Sequence, residues 1–228
     1  YNKIDTMDLQ RVWNFLFDLA ENNNKQWFDE HKETYKIALA DFQLFTEQLI
    51  AGLSRFDKSL EGLTVKDCTY RIYRDLRFSL DKTPYKTHMG AYVCPQGKKS
   101  WNSGYYVHIE PKGECMLVSG LYMPMPNVIK SVREEIMLEG SRFDKAIKSC
   151  KGFTLDWQSA LKKIPQGYNA EDEFSQYYRL EDYIVTQELT KEQVVSPDFL
   201  NFVLKKKKKT YTFNVILNDC VSYAKENF

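Results

Sequence analysis

The chain has only three histidines in 228 residues, and its five cysteines, at positions 68, 94, 115, 150 and 220, form no Cys-x-x-Cys spacing. An odd number of scattered cysteines argues against a disulfide framework and for free thiols in a reducing compartment. No apolar run approaches the roughly 20 residues that a membrane helix needs. The first residues, Tyr1 to Asp8, show no signal-peptide pattern. A cytoplasmic location with no membrane partner is therefore expected. Neither GxGxxG nor GxxxxGK[ST] occurs, which removes the two commonest phosphate-binding backbones, and no GxSxG elbow is present. With 32 Lys and Arg against 31 Asp and Glu, the net charge of +1 lacks the basic excess of a nucleic-acid-binding domain. There is no internal repeat or low-complexity linker, and no cofactor is implied.

What is present suits a sheet covered by helices. Hydrophobic residues make up 43% of the chain and aromatic residues 14%, enough to bury a sizeable core as one domain over 1–228, with 164–228 open to being a loosely separate carboxy-terminal subdomain. Leu9, Val12, Trp13, Leu16 and Leu19 repeat at helical spacing after the cap Asp8. Asn22, Asn23 and Asn24 break that helix, and Asn23 with Gln26 resembles a capping box for the next. Phe28, His31, Tyr35, Ala38, Phe42, Phe45 and Leu49 then predict one long helix. From Val65 to Leu121 the period falls to two, with turns at Pro95-Gln96-Gly97 and Pro111-Lys112-Gly113, so one continuous antiparallel sheet of about four strands is expected. Helical spacing returns after Pro126, divided at Gly140. An irregular stretch from Ile164 carries a short strand at Tyr183-Ile184-Val185, and Phe199 to Leu204 and Tyr211 to Tyr223 close the chain as a helix pair. Helices before and after a sheet make the class α+β.

Charge concentrates in one place. Tyr70 to Thr87 sets Arg71, Arg74, Arg77, Lys82 and Lys86 against only Asp75 and Asp81. Tyr70, Ile72, Leu76 and Phe78 share one parity, as in a half-buried strand, and Pro84 marks a turn at its end. Arg74 falls on the apolar parity, where a guanidinium must be paired, and is expected to be largely buried against a carboxylate. Two readings stay open. In one, Arg71, Arg74, Arg77, Lys82 and Lys86 converge on a small phosphate-bearing or other anionic ligand, with Tyr73 or Tyr85 stacking on a base or sugar; a short nucleic acid is possible but not favoured. In the other, Arg74, Asp75, Arg77 and Asp81 form an internal ion-pair network in a structural or protein-interaction module.

The run RDLRFSLDKTPYKT, Arg74 to Thr87, resembles the signature of the family known as domain of unknown function 2461. Matching residues also occur at Phe15-Leu16, Leu19, Asn22 to Lys25 and Trp27-Phe28. Further on, Gly104 to Pro111 and Gly120-Leu121-Tyr122 match in order, followed by Ile164 to Tyr168 and Tyr178-Arg179-Leu180. The resemblance implies an architecture and a motif, not a reaction, so whether the protein is an enzyme stays open, as does its oligomeric state.

The remaining chemistry is sparse. Tyr106, His108 and Glu110 share a strand face, and His108 with Glu110 is the candidate acid and base pair; Glu110 pairing with a motif arginine is the alternative. Two such residues do not close a metal site, and no second cluster with ligand spacing is visible. His31 reads as a core or interface residue on its helix stripe, and His88 as an anion-orienting or ordinary residue at the start of a strand. Ser79 reads as a turn hydroxyl, and Cys68, Cys94 and Cys115 as small apolar groups in strands. The run Lys205 to Lys209 reads as a solvated helix end rather than an acidic-surface contact.

Overall fold

The computed structural model describes residues 7–227. The reading that no leader pattern precedes Asp8 concerns residues 1–6 and lies outside them. Helix α1 (Leu9–Glu21) opens on Asp8, whose carboxylate accepts the Gln10 N–H, and buries Leu9, Val12, Trp13, Phe15, Leu16 and Leu19. The next helix, α2 (Lys25–Glu30), is capped by Asn24, whose side chain accepts the Trp27 N–H, and not by Asn23. The long helix expected from Phe28 to Leu49 is divided. His31 leaves helical geometry at φ −106°, ψ 19°, and α3 (Lys32–Ser54) begins after it. The His31 ring stacks on Trp27 with centroids 4.1 Å apart, and its Nδ1 donates to the Trp27 carbonyl at 2.8 Å.

The fold is α+β as expected, and its antiparallel sheet has five strands, close to the expected count of about four, in the order β1-β2-β3-β5-β4: β1 (Met89–Val93), β2 (Gly104–Ile109), β3 (Met116–Leu121), β4 (Thr154–Leu155) and β5 (Tyr183–Glu188). The expected turns close properly, with Gly97 N–H bonded to Cys94 O and Gly113 N–H to Glu110 O. Two expectations from parity fail, and the sheet starts at Met89 rather than at Val65. Val65–Cys68 is a single helical turn, α4, closed by a capping box between Thr64 and Asp67. Tyr70 to Ser79 is not a strand: of its apolar residues only Ile72 is buried, Phe78 is fully exposed, and among the described residues the one backbone bridge from this part of the chain to the sheet is that of Thr69, just before it, with Ala91. The alternation is there, but it has no face to bury.

Helices return on the carboxy-terminal side. Helix α5 (Pro126–Ser149) kinks at Glu139, one residue before the division expected at Gly140. The short α6 (Lys191–Val194) leads to α7 (Phe199–Lys208) and α8 (Tyr211–Asn227), the expected closing pair. Strand register puts Met89, Ala91, Val93, Tyr105, Val107, Ile109 and Leu117 on one sheet face, against α1 and α3, and Leu121, Tyr183 and Val185 continue that same face over α5 and α8. All five cysteines are buried free thiols, but none of the three expected in strands lies in one: Cys68 sits in α4, Cys94 directly follows β1 and Cys115 directly precedes β3. The lysine run closes α7, but Lys207 is wholly buried and donates to the carbonyls of Tyr106 (2.9 Å) and Val118 (2.5 Å).

The opposite sheet face is more open. Gly90, Tyr92, Tyr106, His108, Met116 and Val118 point there, none belongs to either hydrophobic cluster, and all but Gly90 keep some exposure. The arms of the Tyr70 to Thr87 segment pair back on themselves beside it, through Arg74 N–H to Pro84 O, the bridge of Tyr73 with Tyr85, and Lys86 N–H to Ile72 O.

Candidate functional site

The tip of this segment is braced by its own acids. The Arg74 guanidinium donates to Asp81, to the Thr83 hydroxyl, to the Thr83 carbonyl at 3.1 Å and to Ser79 Oγ at 3.2 Å, and its side chain is 24% exposed. The pairing expected from parity is present, with a partner in the loop and burial that is partial. Hydrogen bonds from the Thr83 backbone and side chain, then from Arg74, hold the Asp81 carboxyl down at about 2. Arg77 donates to Asp75 through Nε at 3.0 Å and Nη2 at 2.6 Å. Lys82 reaches the Leu76 carbonyl at 3.1 Å, and Ser79 is a turn hydroxyl, donating to Asp81 O at 2.8 Å.

Tyr85 is not presented to a ligand. It is 4% exposed and stacked on Phe28 at 4.0 Å, because Asn23 fixes its backbone from both sides: the Asn23 side chain accepts the Tyr85 N–H at 3.1 Å and donates to the Tyr85 carbonyl at 2.9 Å. Two cations of the segment, Arg71 and Lys86, have neither a carboxylate in salt-bridge distance nor a side-chain hydrogen-bond acceptor among the described residues. Lys86 is half-buried and its Nζ lies 5.6 Å from the centroid of the Tyr70 ring, as does Lys98 Nζ. Burial, with the Arg71 charge beside it, moves the Lys86 ammonium below its ordinary range.

Thr87 and His88 carry the segment onto the open sheet face. The register pairs Met89 with Ile109 and Gly90 with His108, and one further step sets His88 opposite Glu110. The His88 and His108 rings lie 4.5 Å apart. His108 Nε2 is 3.1 Å from Glu110 Oε2, and the other carboxylate oxygen accepts the Thr87 hydroxyl at 2.5 Å. His108 Nδ1 is 2.8 Å from the Tyr106 hydroxyl. Glu110 thus takes Thr87 and His108 and no motif arginine. Burial, then the neighbouring His108, pushes His88 down to about 4, so its ring is neutral. Burial alone would raise Glu110, but the bonds from Thr87 and His108 outweigh it and hold the carboxyl below its usual range. One donor atom from each of His88, His108 and Glu110 can be chosen so that all lie within 4.8 Å of one another. Gly90 makes room for this arrangement, since a Cβ there would stand 2.4 Å from the Tyr106 hydroxyl.

The profile of the conserved hypothetical protein family DUF2461 matches residues 11–215. The chain belongs to that family. No curated protein and no solved structure matches it. In this DUF2461 member the two strongest sequence blocks, Arg74 to Thr87 and Gly104 to Pro111, meet in space through the Thr87 to Glu110 bond. The sequence puts Tyr106, His108 and Glu110 on one strand face but does not by itself bring His88 and Thr87 to them; continuing the β1–β2 register past Met89 is the signal that finds these two. Two shallow depressions of ≈ 450 and ≈ 330 Å³ lie elsewhere, beside the α5 kink, lined by residues such as Arg142 and Lys145 and by Phe174 and Tyr178. Among the described residues no helix is long and apolar enough to cross a membrane.

Proposed function

We propose that the protein binds a small phosphate-bearing ligand, nucleotide-like in size, where the Tyr70 to Thr87 segment joins the open sheet face. The observation that carries this reading is the contrast between its cations. Arg74 and Arg77 are engaged by Asp81 and Asp75, whereas Arg71 and Lys86 have no acid in salt-bridge distance among the described residues. A half-buried ammonium beside a second cation is unfavourable until an anion shares the site, and a phosphate supplies that charge with acceptors for both. Arg71 and Lys86 would hold the phosphate, with Lys98 and the Tyr70 ring at its border. Arg74, Arg77 and Lys82 act in this reading as the brace that holds the segment's shape, and Tyr85 as its anchor.

A second reading is favoured by one observation. Phe78 and Leu80 stand fully exposed at the tip of the segment, which suits contact with a partner protein. Titrating pyrophosphate, mononucleotides, sugar phosphates and short oligonucleotides against the wild type and an Arg71→Ala, Lys86→Ala double variant separates the two. Anion binding requires a member of the panel to bind with an affinity that falls as salt rises past the ~10 Å Debye length at 0.1 M, and to be lost in the double variant. No salt-sensitive binding across the panel would remove the anion site and leave the interaction reading.

A further inference from the structure

Two of the chain's three histidines lie beside one carboxylate, and hydrogen bonds orient His108 and Glu110 while the His88 ring packs against that of His108. We infer that His88, His108 and Glu110 bind one divalent transition-metal ion of the zinc or ferrous-iron class. Two imidazoles and one carboxylate are the donor set that borderline metals select, while hard ions such as Mg²⁺ prefer oxygen ligands alone. Three protein ligands leave coordination positions open, the pattern of a reactive rather than a purely structural metal site.

The surroundings supply what such a site needs beyond its ligands. If His108 coordinates through Nε2, the atom already facing Glu110, its Nδ1–H is left to donate to the Tyr106 hydroxyl 2.8 Å away. Glu110 is held by Thr87 through the oxygen that does not face His108. Outer contacts of this kind fix ring tautomer and carboxylate orientation. Gly90 lies opposite His108 on the neighbouring strand and leaves the space that the Tyr106 ring fills. Donors about 2.0–2.2 Å from a zinc ion stand roughly 3 to 3.5 Å from one another. From a present limit of 4.8 Å, the donors have to close by up to about 1.5 Å, a displacement on the scale of side-chain rotation. All three residues are partly exposed, so an ion and a water can enter from solvent. This inference does not depend on the phosphate reading, because neither Arg71 nor Lys86 takes part in it.

The test uses the full chain stripped of metal with a chelator. Zn²⁺ is titrated by competition with a chromophoric chelator, and Co²⁺ is followed by its visible ligand-field bands. One equivalent of each is expected to bind, with Mg²⁺ failing to compete. Glu110→Gln and His108→Ala should abolish the one-equivalent phase, and Tyr106→Phe and Thr87→Val should weaken it about 10- to 100-fold. His31→Ala, which removes the one histidine outside the group, should leave it unchanged. Circular dichroism confirms folding, and the near-isosteric Glu110→Gln decides the matter where His108→Ala does not fold. Absence of stoichiometric Zn²⁺ or Co²⁺ binding, or binding that folded Glu110→Gln retains in full, overturns the inference.

Discussion

Gly90→Ala is the substitution whose effect is set most directly by the geometry of the site. An added Cβ would stand 2.4 Å from the Tyr106 hydroxyl and 2.8 and 2.9 Å from two of its ring carbons. The contact cannot be relieved by the backbone, because Gly90 is paired with His108 in the β1–β2 ladder. The Tyr106 ring must move by roughly 1 Å to reach ordinary van der Waals separation, the kind of overpacking that costs about 1–3 kcal/mol. Against that, replacing a glycine restricts the unfolded chain and stabilises by about 0.4–1 kcal/mol. At the middle of both ranges the clash wins, and a net loss of up to about 2.6 kcal/mol is expected, which for a chain of this size lowers the melting temperature by up to roughly 10 °C. The displaced ring also gives up its bond to His108 Nδ1. The decisive assay is a double-mutant cycle by thermal and urea melting. In a Tyr106→Leu background the same Gly90→Ala change should be close to neutral. An equal penalty in both backgrounds would refute the assignment of Tyr106 as the residue that needs Gly90.

Other outcomes rest on single contacts. Asn23→Ala removes both bonds that fix the Tyr85 backbone; it should destabilise by about 1–3 kcal/mol and raise amide exchange at Tyr85 and Lys86, and unchanged exchange would dismiss the clamp. Arg74→Met and Asp81→Asn should each lower the melting temperature by a few degrees and together no further than either alone, since they break one network; additive losses would contradict it. Burial pushes the Lys207 ammonium well below its ordinary 10.5. Between the lowered folded value and 10.5 the unfolded chain holds this proton more fully than the folded chain, so stability should rise with pH over that interval. Lys207→Met should flatten that rise in urea-unfolding free energy as pH approaches 10.5, and identical slopes in wild type and variant would contradict the lowered value.

Features set by a few neighbouring residues are legible in the sequence. Asp8 caps α1 as expected, and the two Pro and Gly turns close the β1–β2 and β2–β3 links, because each depends on local geometry. The failures share a physical cause. Parity indicates a strand through Tyr70 to Phe78, but a strand forms only where a partner and a buried face exist, and here the segment is spent on pairing with itself. β5 reads as a short strand, yet nothing local indicates that it pairs with β3 and extends the sheet. In the lysine run, charge masks a signal that is present: Lys207 comes after Phe199 and Val203 at steps of four, so it falls on the buried stripe of α7. At the site, the residue types are visible, while the division of the cations into paired and unpaired ones depends on which loop residues fold back to meet them.

The claim that the unpaired cations form the anion site is tested most directly by comparing two double variants with the wild type in a calorimetric titration with pyrophosphate. Arg71→Ala, Lys86→Ala removes the two cations without an acid in salt-bridge distance or a side-chain hydrogen bond among the described residues, and Arg77→Ala, Lys82→Ala removes two that are engaged by Asp75 and by the Leu76 carbonyl. The account predicts that the first variant loses binding and the second keeps it within about threefold, an energy difference near 0.65 kcal/mol and close to the usual error of additivity. Loss of binding in the second variant with retention in the first would contradict it.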